Sequence, residues 1–281
     1  MIARNCISNF RKVPFFYLMT QSMYHKITEF TKLFIKRFFE SFGLSISKYS
    51  EAQLIHKIAS ASNITMFVDI GANEGKVTEN LIEAGYKGKV VCVEPLTSVN
   101  RKLSLKFSKT KQVKVLEPMA LDCEDGVKSF KQSENLVSSS LKMPNEAYIY
   151  AAPASRIAIE QFVKTQRLDS VLLELVAANF KAKEERIMLK IDVQGSEADV
   201  LSGVGDFWDE LYCIILETSF VKLYEDQILF NECVSMMENK GFEIWRIFPG
   251  HSDTASGRMF QCDVVFVKNE QSAVRGKVFH D

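Results

Sequence analysis

The chain has 281 residues, 47% hydrophobic and 25% charged, which suits one large α/β domain with an appendage and supplies enough apolar surface for a core. Formal net charge is zero, so the molecule as a whole has no electrostatic pull toward nucleic acid, and no nucleic-acid partner is expected. The six cysteines are scattered without a C-x-x-C pair, which argues against a structural zinc site and fits a reduced, cytoplasmic setting.

Charge is unevenly placed along the chain. Residues 1–48 carry eight Lys and Arg against two acids, an arm of +6 on a body of −6. Within the Phe-rich stretch 10–42, Ile27, Phe30, Phe34 and Phe38 have the spacing of one helical face, with Lys26, Lys32, Lys36 and Arg37 largely off it. The preferred reading is a helix packed against the rest of the chain. The alternative is a basic amphipathic helix making peripheral contact with an anionic membrane through residues 10–42. No stretch approaches the roughly 18 apolar residues of a membrane-spanning helix. Residues 13–19 are short for a signal-peptide core and lack a small-residue cleavage site.

A catalytic domain is expected over 49–281, with its core at 66–268. Ser50 and Gln53 have capping-box spacing before a helix over 51–60. Strands are predicted at 66–70, 89–94, 113–116, 186–192 and 211–217. Helices alternate with them at 75–84, 97–107, 167–177, 197–201 and 226–239. Residues 123–165 show no sustained period and are expected to form an irregular insertion, a substrate loop. Strands at 242–248 and 263–268 have no helix between them, so they should pair antiparallel. The expected fold is α/β and Rossmann-like: a mostly parallel seven-stranded sheet with an antiparallel last strand.

The strongest motif is Phe67-Val68-Asp69-Ile70-Gly71-Ala72-Asn73-Glu74-Gly75. A buried strand delivers Asp69, Gly71 lets the chain turn beside a ligand, and Gly75 opens the next helix. Asn73 and Lys76 break the G-x-G-x-x-G pattern of a dinucleotide site. A carboxylate two residues before the first glycine suits a cationic ligand better than a pyrophosphate; S-adenosylmethionine, with its ammonium and sulfonium, is such a ligand. Asp69, Gly71, Asn73 and Gly75 are therefore candidate cofactor residues. Glu94 ends the second strand 25 residues after Asp69 and can accept both hydroxyls of a ribose. Leu121 is placed to pack on an adenine ring and Asp122 to accept from its exocyclic amine.

The second strong motif is Met188-Leu189-Lys190-Ile191-Asp192-Val193-Gln194-Gly195-Ser196-Glu197. It brings Asp192 to the same sheet edge, with Lys190 expected on the opposite face. Glu217 ends the fifth strand. Asp69, Glu94, Asp192 and Glu217 thus all fall at strand carboxyl ends.

These motifs resemble those of the FkbM-type methyltransferases, which use S-adenosylmethionine. The resemblance rests on residues 68–75, on Val93-Glu94-Pro95, on Leu168-Asp169 and on residues 189–197, and it covers about 66–268 in consistent order. Gln194 departs from the family pattern, which usually has Glu there. The resemblance implies O-methylation of a hydroxyl on a sugar, glycolipid or natural product. A base or a metal must then help remove the hydroxyl proton. Asp192 is the first candidate base, and His251, in the loop between the last two strands, is the second. Ser139, Glu197 and Glu217 are candidates for holding the acceptor; a divalent ion on the two acids is the less favoured alternative. Two further readings are a nicotinamide-dependent oxidoreductase and a non-catalytic binding module that keeps the fold.

Overall fold

The computed structural model describes residues 30, 34, 35, 37, 38, 41, 49–175, 185–253 and 256–269. Residues 1–50 and 51–281 form two separate units. In the first unit Phe30, Phe34 and Phe38 are helical, and each is more than half exposed. The remaining residues of the predicted stripe and its flanking charges, apart from Arg37, lie outside the described residues. No helix among the described residues is long and apolar enough to cross a membrane.

The second unit opens with helix α1 (Glu51–Ala61), then alternates strand and helix: β1 (Met66–Ile70), α2 (Lys76–Glu83), β2 (Lys89–Val93), α3 (Thr97–Phe107) and β3 (Val113–Val115). After an excursion through residues 120–166 it resumes with α5 (Leu168–Leu175), β7 (Ile187–Ile191), α6 (Glu197–Ser202), β8 (Leu211–Ser219), α7 (Phe230–Asn239), β9 (Phe242–Pro249) and β10 (Gln261–Lys268). The seven-stranded sheet has the order β3-β2-β1-β7-β8-β10-β9. Strands β3, β2, β1, β7 and β8 pair parallel, and β10 runs antiparallel to both neighbours, as the missing helix between the last two strands requires. Helix α7 starts four residues later than predicted. Asp226 has φ +52°, outside the helical range, and the Glu232 carboxylate accepts the Leu229 N–H at the true start.

The period of two along each strand sorts the core onto two faces. Met66, Val68 and Ile70 of β1 join Ile187, Leu189 and Ile191 of β7 against α5, α6 and α7. Phe67, Val90, Cys92, Met188 and Ile215 pack under α1, α2 and α3 on the other face. Full burial of each such large side chain contributes about 1.5–3 kcal/mol. Cys92 and Cys213 are buried strand residues, and the five described cysteines are unpaired.

The stretch 123–165 is not irregular. It contains β5 (Gly126–Ser133), α4 (Glu146–Ala151) and β6 (Ile157–Gln166). With β4 (Ala120–Leu121), these strands form a second sheet of order β4-β6-β5. Its strands were illegible because little of them faces a core. Phe130 of β5 and Val163 of β6 are the apolar residues that bury, and a register shift at Gln132/Ser133 breaks the alternation. Phe130 and Val163 pack with Leu96, Val99 and Ala120, so the excursion builds one wall of the site described next.

Candidate active site

The carboxyl edge of the main sheet opens into a cavity of about 400 Å³. Its floor is the turn after β1. Gly71 has φ +78°, and a Cβ there would stand 1.9 Å from the Asp192 carbonyl oxygen, so only glycine permits the two strand ends to come so close. The N–H groups of Gly71 and Ala72 donate to the Val93 carbonyl at 3.1 and 3.0 Å, and Asp192 N–H donates to the Ile70 carbonyl at 3.1 Å. The turn is thereby tied to β2 and β7. Gly71 and Asn73 line the cavity.

Two residues of the same motif act behind the turn. Asp69 is fully buried, accepts from Thr78 Oγ1 at 2.7 Å and lies 3.9 Å from Lys190 Nζ; it does not line the cavity. Burial raises its pKa against the pull of Lys190 and Thr78. Gly75 is also off the cavity. A Cβ on it would come within 2.5 Å of Leu103 and Phe107, so its smallness lets α3 pack against the start of α2. Asp69 and Gly75, read from the sequence as cofactor residues, thus support the turn from behind the cavity.

Glu94, the first residue beyond β2, lines the cavity. Its two oxygens accept the N–H groups of Asn73 and Leu96, each at 2.9 Å. Burial pushes its carboxyl up to about 7, opposed by those two hydrogen bonds. Beside it Leu96, Val99, Met119, Ala120, Leu121 and Phe130 form an apolar slot, with Leu121 where the sequence puts it. Asp122 is not in the slot. Its carboxylate meets Lys128 Nζ at 2.5 Å and accepts the Cys123 N–H at 2.8 Å, because the chain turns away into the second sheet after Leu121. The adenine role read for Asp122 is not supported by this placement.

Across the cavity lie Asp192, Gln194, Glu217, His251 and Gln261. Lys190 does not point away from Asp192. Residues two apart on a strand share a face, and Lys190 Nζ lies 2.9 Å from Asp192 Oδ2. Lys190 is also the register partner of Asp69. Burial opposes the charge of Asp192, yet Lys190 and the Gln194 amide outweigh it and hold its pKa below the usual carboxylate range. Glu217 is raised well above that range by burial and by Asp192, Glu197 and Asp263. The exposed His251 stands at the rim, its ring 6.4 Å from that of Tyr148 and 5.7 Å from that of Phe260.

Ser139 lines the cavity and its Oγ accepts the Ser133 N–H at 3.0 Å. Glu197 does not line it. Its carboxylate is buried and accepts the N–H groups of Val193 and Gly195 at 3.2 and 3.0 Å, bracing the turn before α6. Burial pushes Glu197 up to about 7. Gln261, Tyr148 and Tyr224 also belong to the site without being marked by any sequence motif, and Gln194 stands out only as a departure from the family pattern. Gln194 lies inside the second motif; Tyr148 lies in the short helix α4, Tyr224 in a loop and Gln261 at a strand start, none within a recognisable pattern.

Among the described residues, the acids and thiols that converge closely enough to hold a metal are Asp122, Cys123 and Asp199, away from the cavity. Lys128 pairs with Asp122, and Lys142 lies 3.1 Å from Asp199.

The profile of the methyltransferase FkbM domain matches residues 69–244. A curated relative, methyltransferase sdnD of Sordaria araneosa, is 29% identical over 230 residues, 72% of this chain and 86% of that protein. Among solved structures, a TehB-like SAM-dependent methyltransferase from Corynebacterium glutamicum is 11% identical with a TM-score of 0.39, covering 86% of this chain and 99% of that one. A precorrin-6y C5,15-methyltransferase from Geobacter metallireducens is 11% identical with a TM-score of 0.37, covering 80% and 93%. The glycine turn, Glu94 and the Lys190–Glu197 segment described above all fall within the matched span, and the chain belongs to the FkbM methyltransferase family.

Proposed function

We propose that this methyltransferase uses S-adenosylmethionine to methylate a hydroxyl of an uncharged sugar, glycolipid or natural-product acceptor. The observation that carries the reading is one cavity with Glu94 and an apolar slot on one side and Asp192, Glu217 and His251 on the other.

The residues present fit the cofactor. Gly71 leaves a backbone surface bare of side chain, the slot suits an aromatic base, and each Glu94 oxygen keeps a second lone pair for a ribose hydroxyl. When bound, S-adenosylmethionine supplies a methyl carbon already activated by a sulfonium. The chain has to place the acceptor oxygen in line and receive its proton. Asp192 is ionised at neutral pH and faces the cavity, so it serves as the proton acceptor. Glu217, whose pKa is raised by burial and by the neighbouring acids, is suited to orienting the acceptor. His251 at the rim is the second candidate base.

No Lys or Arg stands among the described residues that line the cavity. A phosphate or carboxylate on the acceptor would face Glu94, Asp192 and Glu217 with no Lys or Arg to balance it, which supports a neutral acceptor and speaks against nucleic acid. The test is transfer of labelled methyl from S-adenosylmethionine into fractionated glycans, lipids and small molecules, with mass spectrometry for the gain of one methylene. Labelling of an oxygen confirms the reading. Binding of NAD in place of S-adenosylmethionine, or label on nucleic acid, overturns it.

A further inference from the structure

Gln194 lies between two acids at a point where their charges would otherwise confront each other. Asp192 leaves the end of β7 and Glu217 lies on the adjacent strand β8, with Ile191 in register with Leu216. Two carboxylates brought together in a partly desolvated site repel strongly unless something is shared between them. Gln194 Nε2 lies 2.8 Å from Asp192 Oδ1 and 2.8 Å from Glu217 Oε2. An amide nitrogen has two diverging hydrogens, so it can serve both acids at once.

The amide is held from behind. The buried Tyr224 hydroxyl lies 3.0 Å from Gln194 Oε1, and Ser140 Oγ donates to the Gln194 backbone carbonyl at 2.7 Å. Gln194 itself has φ +59°, and the next residue must be glycine, since a Cβ at Gly195 would stand 2.7 Å from Tyr224 Cβ. The donors also occupy the oxygens a metal would need. Glu217 Oε2 accepts a second amide hydrogen from Gln261 at 2.7 Å, and Asp192 Oδ2 is engaged by Lys190. A divalent ion requires free oxygens at about 2.0–2.6 Å, and N–H donors cannot be its ligands.

We propose that Gln194 is a positioning residue that takes the place of a divalent cation between Asp192 and Glu217, so that the acceptor end of the site works without a metal. The proposal rests on the methyltransferase reading of the cavity. It leaves one lone pair of Asp192 Oδ1 directed to the acceptor, with the proton passing to that carboxylate.

The test is a titration of the full chain with Mn²⁺ followed by electron paramagnetic resonance, on wild type and Gln194→Glu. S-adenosylhomocysteine affinity is measured on both. Wild type should show no cavity binding up to on the order of 1 mM Mn²⁺, and Gln194→Glu should bind about tenfold tighter or more, because a third carboxylate replaces the donors. Wild-type binding as tight as that of the variant, or no gain in a folded variant, overturns the proposal. Should Gln194→Glu fail to fold, Gln194→Met gives the answer by carboxyl ¹³C NMR: loss of the shared amide must raise the Asp192 pKa, and an unchanged titration overturns the role. S-adenosylhomocysteine binding that survives either failure leaves the methyltransferase reading standing; its loss from wild type would remove that reading instead.

Discussion

Glu94 offers the sharpest test of the cofactor site, because both its oxygens are accounted for. Each accepts one backbone N–H at 2.9 Å, from Asn73 and from Leu96, and each has one lone pair left for a ribose hydroxyl. Glu94→Ala removes all of these acceptors. Hydrogen bonds to a charged group are worth about 1.5–3 kcal/mol, so S-adenosylhomocysteine should bind about 10- to 150-fold more weakly. Glu94→Gln keeps one acceptor oxygen but turns an amide N–H toward a backbone N–H, and should fall between. The pH dependence follows from burial, which lifts the folded pKa to about 7 from an ordinary 4.5. The folded state then binds the proton more tightly than the unfolded state. This contribution to stability is complete below about pH 4.5 and is lost as pH rises through about 7. The ligand-free protein should therefore melt lower at pH 8 than at pH 5, and Glu94→Gln should flatten part of that slope. Hydroxyl donors favour the ionised carboxylate, so wild-type affinity should tighten from pH 6 to pH 8 while that of Glu94→Gln stays level. Calorimetry and thermal melts read all of this. A Glu94→Ala dissociation constant within about twofold of wild type would refute the assignment of the turn.

Three further variants probe the rest of the edge. Asp192→Asn keeps the shape and removes the base, so turnover should fall by about 10²–10⁴ with S-adenosylhomocysteine affinity little changed; activity within a few fold of wild type would shift the role to His251. Lys190→Met strips the cation from the fully buried Asp69 and the half-buried Asp192. Urea denaturation should show a loss of about 3–5 kcal/mol, and a loss under about 1 kcal/mol would mean the pair is not structural. Gly71→Ala would drive a Cβ to 1.9 Å from the Asp192 carbonyl at a positive φ. Calorimetry should find S-adenosylhomocysteine binding abolished, and wild-type affinity in that variant would contradict the turn geometry.

The strands and helices of the main sheet, its carboxyl edge and the two motifs were legible in the sequence, because a parallel sheet buried on both faces writes its strands as short apolar runs closed by acids and glycines. The sequence also placed Gly71, Asn73, Glu94, Leu121, Ser139, Asp192, Glu217 and His251, and all of them line the cavity. Which of the motif residues line the cavity was decided only in three dimensions. Asp69, Gly75 and Glu197 have the same chemistry and spacing as cavity residues, yet they brace turns, because a buried polar atom takes whatever partner the neighbouring element brings. Thr78 and Lys190 brought those partners to Asp69, and the N–H groups of Val193 and Gly195 to Glu197. The second sheet was illegible for a related reason: in β5 and β6 Phe130 and Val163 bury while Val127, Ile159 and Phe162 stay exposed, so the apolar residues do not mark a buried face. The bridge made by Gln194 depends on Glu217 and Tyr224, 23 and 30 residues away. No local pattern encodes such a meeting; it exists because β7 and β8 are neighbours in the sheet.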